Sequence, residues 1–253
     1  MNEEINPSCI DHTLKHTLVS VKKTKTLMER EVKEQPSKGK VKGPIKFKLQ
    51  LNEEQKEAKS LILENPVTVI RGMAGSGKTL LACQIALDLL FNREAEKIII
   101  TRPTVAKEDI GFLPGDLKEK MDPWLAPIYS NLYMLYDKEK IDKLVENNVI
   151  EILPFPFMRG RTFLNSCVIV DEAQNVTNNQ MEMVLGRLGV ASKIMICGDI
   201  SQIDLKVKKD SGLDFLNTVA ARVPGVQVIS LKKNHRHPIV PEILGVYTEY
   251  NDR

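Results

Sequence analysis

From residue 45 onward the apolar positions change period in an ordered way. Val67-Thr68-Val69-Ile70, Lys97-Ile98-Ile99-Ile100-Thr101, residues 149–153, Cys167-Val168-Ile169-Val170, residues 193–197 and residues 226–231 are short, near-continuous apolar runs, most of them rich in β-branched residues. Runs of this kind fit strands buried on both faces. Between them lie longer segments with helical spacing: 53–63, 78–91, 123–147 in two pieces, 178–188, 213–222 and a last one from about 238. Asn52 is placed to N-cap the first of these, ahead of an acidic first turn, and Asn65-Pro66 ends it. Residues 103–120 read as a long loop punctuated by Gly and Pro. Strands alternating with helices predict an α/β fold, a mostly parallel sheet with helices on both faces.

Charge divides the chain. Residues 21–48 hold ten basic and three acidic side chains, a local charge of +7 within a net charge of +3, so the remainder carries −4. With Pro36, Ser37, Gly39 and Gly43 in it, this stretch reads as a flexible basic arm, either solvated or in contact with nucleic-acid phosphates. The expected division is an arm over 1–44 and a folded domain over 45–253. No apolar run approaches the length of a membrane span, and the first residues lack the pattern of a signal peptide. Cys9, Cys83, Cys167 and Cys197 are too widely spaced for a disulfide framework or a zinc site. The default expectation is a cytoplasmic protein.

The chemistry begins at Gly72-Met73-Ala74-Gly75-Ser76-Gly77-Lys78-Thr79, which fits the phosphate-binding pattern G-x-x-x-x-G-K-[ST]. Glycines allow the backbone to wrap a phosphate, and successive N–H groups then point inward as an anion nest. The helix that follows presents its positive end to the same charge. Lys78 is expected to reach the β- and γ-phosphates and Thr79 to offer its hydroxyl to Mg²⁺, with Leu80 completing the nucleotide-binding set. The motif follows a predicted strand and opens a predicted helix, as this mechanism requires.

A second site falls at Asp171-Glu172, directly after the strand Cys167–Val170. Carboxylates abutting a buried strand are costly without a task. Asp171 fits a residue that holds Mg²⁺ through water, and Glu172 a base that orients attacking water. In sequence, a further strand around 98–101 lies between the cradle and Asp171. That inserted strand points to the RecA-like branch of P-loop NTPase folds. After the next strand, Gly198-Asp199-Ile200-Ser201-Gln202 places Gln202 as a candidate γ-phosphate sensor, with a simple turn as the competing reading of Asp199.

These motifs together resemble a superfamily 1 helicase core. Residues 51–58 resemble its Q-motif, with Gln55 lying 17 residues before Gly72 and implied to read the adenine edge. Thr101-Arg102-Pro103 resembles the motif that touches nucleic acid, and Asp171-Glu172-Ala173-Gln174 its motif II. The sequence is more closely similar to the PhoH-like family of single-domain ATPases over roughly 45–250. That likeness is carried by residues 111–116, by Met158-Arg159-Gly160-Arg161-Thr162 and by Arg236-His237-Pro238. The resemblance implies an Mg²⁺-dependent ATPase working on RNA or single-stranded nucleic acid. It also implies a homo-oligomeric ring, expected to be a hexamer, in which Arg236 reaches the neighbour's γ-phosphate; a surface Arg236 capping the last helix is the competing reading. Arg159 and Arg161 are open between nucleic-acid contact, a neighbour's nucleotide and a solvated loop. Tyr129, Tyr133 and Tyr136 share one helical face, as a base-stacking platform or a core or interface stripe. The alternative functions are a slowly hydrolysing assembly switch and a small-molecule P-loop kinase. Glu172 and Gln202 argue against the kinase.

Overall fold

The protein is seen in a computed structural model that describes residues 47–103 and 117–251. The basic arm, Cys9 and the motif at 111–116 lie outside the described residues. Six strands form one sheet: β1 (Val67–Gly72), β2 (Lys97–Arg102), β3 (Ile150–Pro154), β4 (Ser166–Val170), β5 (Lys193–Gly198) and β6 (Val226–Leu231). All five neighbouring pairs are parallel, in the order β3-β2-β4-β5-β1-β6. The helices are α1 (Glu53–Glu64), α2 (Lys78–Phe91), α3 (Leu117–Leu135), α4 (Lys138–Glu146), α5 (Asn178–Leu185), α6 (Gly212–Ala220) and α7 (Ile239–Asn251).

The alternation of strand side chains sorts the core into two layers. Ile70, Ile98, Ile100, Cys167, Ile169, Met195 and Cys197 face one side and pack against α1, α2, α3 and α4. Val67, Val69, Ile99, Val168, Val170, Ile194 and Ile196 face the other, against α5 and α6. The expected α/β fold with helices on both faces is therefore present.

In chain order the run at 98–101 lies between the cradle and Asp171, as read, whereas in the sheet the strand that separates β1 from β4 is β5. The crossover through α2 carries the chain past both β5 and β4 before β2 is laid down, so chain order and lateral order part company. One reading needs correction: α3 starts at Leu117, inside the segment read as loop, and passes through Pro123 and Pro127. Proline penalises a helix interior, but Ile128, Leu132 and Leu135 are fully buried at helical spacing, and that packing outweighs the local penalty.

Candidate functional site

The cradle sits where β1 ends and α2 begins. Gly75 and Gly77 have φ of 86° and 82°, the left-handed region that a β-carbon makes costly. This geometry turns the loop so that α2 starts at Lys78 with its N-terminus facing the loop mouth. Lys78 Nζ donates to the carbonyls of Gly72 at 2.6 Å and Met73 at 3.0 Å, which folds the ammonium over the loop. Ser76 Oγ is buried within the loop without a hydrogen-bond partner.

Across the crevice stands the tip of β4. Thr79 Oγ1 donates to Asp171 Oδ1 at 2.7 Å, joining the two motifs over 92 positions of sequence. Burial pushes the Asp171 carboxyl above its ordinary range; the Thr79 hydrogen bond and the charge of Arg102 pull it back, while Glu172 adds to the rise. A hard cation with oxygen ligands, held by one or two carboxylates and a hydroxyl, relieves that burial cost. Asp199, at the tip of β5, adds a buried Oδ2 with no hydrogen-bond partner. The donor set Thr79, Asp171 and Asp199 thus suits Mg²⁺ beside phosphates. Among the described residues no cluster of three His, Cys, Asp or Glu side chains forms an all-protein metal cage.

Glu172 adopts a left-handed backbone, φ 50° and ψ 40°, a conformation that costs a non-glycine residue on the order of 1 kcal/mol. Its Oε2 accepts from Gln174 Nε2 at 2.6 Å, and its Oε1 lies 3.8 Å from Arg102 Nη2. Gln174 is itself buried, and its Oε1 accepts from the Asp199 N–H at 3.1 Å. One amide therefore ties the tip of β4 to the tip of β5. Gln174 was legible in principle: a buried amide two residues beyond a carboxylate needs partners on both its atoms.

A pocket of about 440 Å³ gathers most of the anticipated residues. Ala74, Gly75, Gly77, Lys78, Thr79, Leu80, Asp171, Glu172, Gln202 and Arg236 all line it, together with Asn131 of α3 and Leu244 of α7. Gly72, Met73 and Ser76 form the loop without lining the cavity. Gln55 lies beside the loop and not in the lining of this pocket. It is buried at N3 of α1, where its Oε1 accepts from the Asn52 N–H and completes a capping box. Its Nε2 lies 3.2 Å from the point that a β-carbon on Gly77 would occupy, and His235 Cδ2 lies 3.7 Å from the same point. Gln55 thus stands beside the cradle with its carbonyl already engaged.

Arg236 lies against the cradle of its own chain. The segment after β6 folds back over its own cradle. Glu54 accepts from the N–H groups of Lys232 and Lys233, Asn52 Nδ2 lies 3.3 Å from His235 Nε2, and the His235 N–H donates to the Gly75 carbonyl at 2.9 Å. A β-carbon on Gly75 would come within 2.7 Å of Arg236 Cγ. Arg236 therefore lines the pocket of its own chain. No local signal marks this latch, because its partners are some 160 to 180 positions apart in sequence.

Two other candidates leave the site. Arg161 Nη2 pairs with Glu151 Oε2 at 2.8 Å, and Lys97 holds the other oxygen at 2.7 Å. Burial alone would raise the Glu151 carboxyl, but these two cations bring it below its ordinary range. Arg161 serves the edge strand β3. Tyr133 and Tyr136 pack against the core, with the Tyr133 hydroxyl donating to Asp142 at 2.6 Å. Burial and that bond push the Tyr133 phenol up to about 12. Tyr133 and Tyr136 are thus half-buried against the core, and Tyr129 stacks on Tyr133 at 6.0 Å between ring centroids. Cys197, whose thiol donates to the Lys78 carbonyl at 3.7 Å, is pushed far up by burial and is a packing residue.

Fold and cradle define a P-loop NTPase of the RecA-like type. The profile of the family described as PhoH-like protein matches residues 49–248, and the chain belongs to that family. It is 46% identical over 196 residues to a PhoH-like protein of Synechocystis sp., covering 76% of this chain and 60% of that one. It is 44% identical over 200 residues to a PhoH-like protein of Bacillus subtilis, covering 78% and 63%. The chain thus spans about three fifths of the length of these relatives. Among solved structures it is similar to the large terminase of a thermophilic bacteriophage, with 10% identity, a TM-score of 0.48 and coverage of 78% and 50%. It is likewise similar to the Pif1 helicase of Candida albicans, with 18% identity, a TM-score of 0.42 and coverage of 79% and 44%. No helix among the described residues is long and apolar enough to cross a membrane.

Proposed function

We propose that this chain is an Mg²⁺-dependent ATPase of the PhoH type that acts on RNA in a helicase-like manner, as a ring oligomer in the cytoplasm. The observation that carries the hydrolytic reading is the 2.7 Å bond from Thr79 to Asp171 in the pocket that Lys78 also lines, with Glu172 at the same strand tip. In this reading the cradle N–H groups and Lys78 hold the β- and γ-phosphates, and Thr79 and Asp171 hold Mg²⁺. The bound cation supplies charge neutralisation of the phosphates. Glu172 orients water and accepts its proton, Gln202 and Arg236 face the γ-phosphate, and Gln55 and His235 form the base-facing wall beside Gly77. The RNA assignment is supported by the resemblance of Thr101-Arg102-Pro103 and by the +7 stretch at 21–48. We assign 1–44 as the arm that recruits nucleic acid and 45–253 as the ATPase domain. Assembly is supported by the exposed apolar residues Ile239, Ile243, Val246 and Tyr247 along α7, next to the pocket.

The test is phosphate release from the full chain with ATP and Mg²⁺, alone and with RNA, single-stranded DNA or small-molecule acceptors. The expected result is hydrolysis that RNA accelerates and that Lys78→Ala abolishes. Full activity in a folded Lys78→Ala protein overturns the cradle assignment. Acceptor-dependent transfer would favour a kinase, and indifference to every addition a switch.

A further inference from the structure

Glu172 stands between two anchors on opposite sides. In the sheet, β4 has β5 and then the cradle strand β1 on one side, and β2 on the other. Gln174 holds Oε2 and is bound in turn to Asp199 at the tip of β5, on the cradle side. Arg102, at the tip of β2, faces Oε1 from the side away from the cradle. A base that must take a proton from water needs a free, suitably aimed oxygen. Here one oxygen is occupied by an amide, and the other is drawn toward a cation in the wrong direction. The Arg102 pair is long at 3.8 Å, and its side chains are 25% and 38% exposed. Such a pair is weak and readily exchanged. A phosphate diester offers the guanidinium a bidentate partner that this geometry lacks.

We propose that Arg102 is a positioning residue that restrains Glu172, and that a nucleic-acid phosphate reaching the tip of β2 takes Arg102 away and frees the carboxylate for hydrolysis. The proposal rests on the nucleic-acid reading above and gives it a mechanism: the sensor of the polymer and the restraint on the base are the same side chain. Gln174 keeps its hold on Glu172 in both states and carries the released carboxylate on the cradle side.

The experiment compares wild type, Arg102→Ala and Arg102→Lys as full chains. Without nucleic acid, Arg102→Ala is expected to raise kcat roughly two- to fivefold, the strength of a half-exposed ion pair, at unchanged KM for ATP. Arg102→Lys should return the rate toward wild type. At saturating single-stranded RNA the stimulation of Arg102→Ala should shrink toward none. A readout independent of hydrolysis is the anisotropy of a labelled single-stranded oligonucleotide. There Arg102→Ala should bind more weakly, with a salt dependence lower by about one released counterion. A basal kcat equal to or below wild type, in an Arg102→Ala protein with an unchanged melting profile, overturns the restraint. A raised basal rate with full stimulation retained overturns the release by phosphate. If no RNA or DNA alters or binds the wild type, the nucleic-acid reading fails and the release step with it. The basal comparison, which needs no polymer, still decides the restraint.

Discussion

At the scale of single residues, the adjacent carboxylates have different surroundings and should fail differently. Glu172 is partly exposed, strained at φ 50° and held on the cradle side by Gln174, an arrangement for aiming, with Arg102 as the opposing restraint. Glu172→Gln should leave nucleotide binding intact while hydrolysis falls by a factor of roughly 10²–10⁴, the contribution of a positioned base. Asp171 is buried, raised in pKa by that burial, and bonded to Thr79. Asp171→Asn keeps an oxygen for Thr79 and removes the buried charge. It should shift the Mg²⁺ requirement for ATP binding to higher concentration without lowering the melting temperature. Mg²⁺ titrations of nucleotide affinity, together with thermal melts of both variants, check the pair. Equal loss of nucleotide binding in the two proteins would mean that the roles are misassigned.

At the scale of elements, α1 shows how one residue can serve two structures. Gln55 closes a capping box with Asn52 and also points its Nε2 at Gly77. Gln55→Ala loses both functions and should cost about 1 kcal/mol of stability, as the loss of a cap does. Gln55→Glu keeps the oxygen that accepts from Asn52 but loses the amide donor. It should hold its stability and still lower the ATP:GTP preference. If both variants keep the wild-type preference, Gln55 serves the helix alone. Local signals made much of this element scale readable. Asn52 as N-cap, α2 from Lys78 to Phe91 and β6 from Val226 to Leu231 follow from capping chemistry, glycine placement and β-branched runs within a few residues. The start of α3 did not follow, because Pro123 and Pro127 report a local cost, whereas the burial of Ile128 and Leu132 that offsets it is supplied by elements distant in sequence.

At the scale of the whole molecule, the cradle and the Asp171-Glu172 pair were legible because each is a contiguous motif. Their separation by β5, the Gln174 bridge to Asp199 and the fold-back of residues 232–238 were not, since each joins segments that sequence keeps apart. The fold-back changes what Arg236 is expected to do. Sequence position alone, after the last strand, sends it toward a neighbouring subunit as a finger in trans. The structure seats it against Gly75 of its own cradle, on a segment pinned by Glu54 and by the His235 N–H. An arginine aimed at the γ-phosphate is worth roughly 10³-fold or more in rate whichever chain supplies it, so Arg236→Ala alone does not separate the two arrangements. Mixing does. When Arg236→Ala and Lys78→Ala proteins exchange subunits, a finger in trans restores hydrolysis at interfaces that pair an intact cradle with an intact Arg236. A finger in cis restores none, because every chain then lacks one half of its own site. The expected outcome is no recovery, with subunit exchange shown independently by energy transfer between labelled chains. Recovered hydrolysis would place Arg236 across the interface and make the contact with Gly75 a resting position.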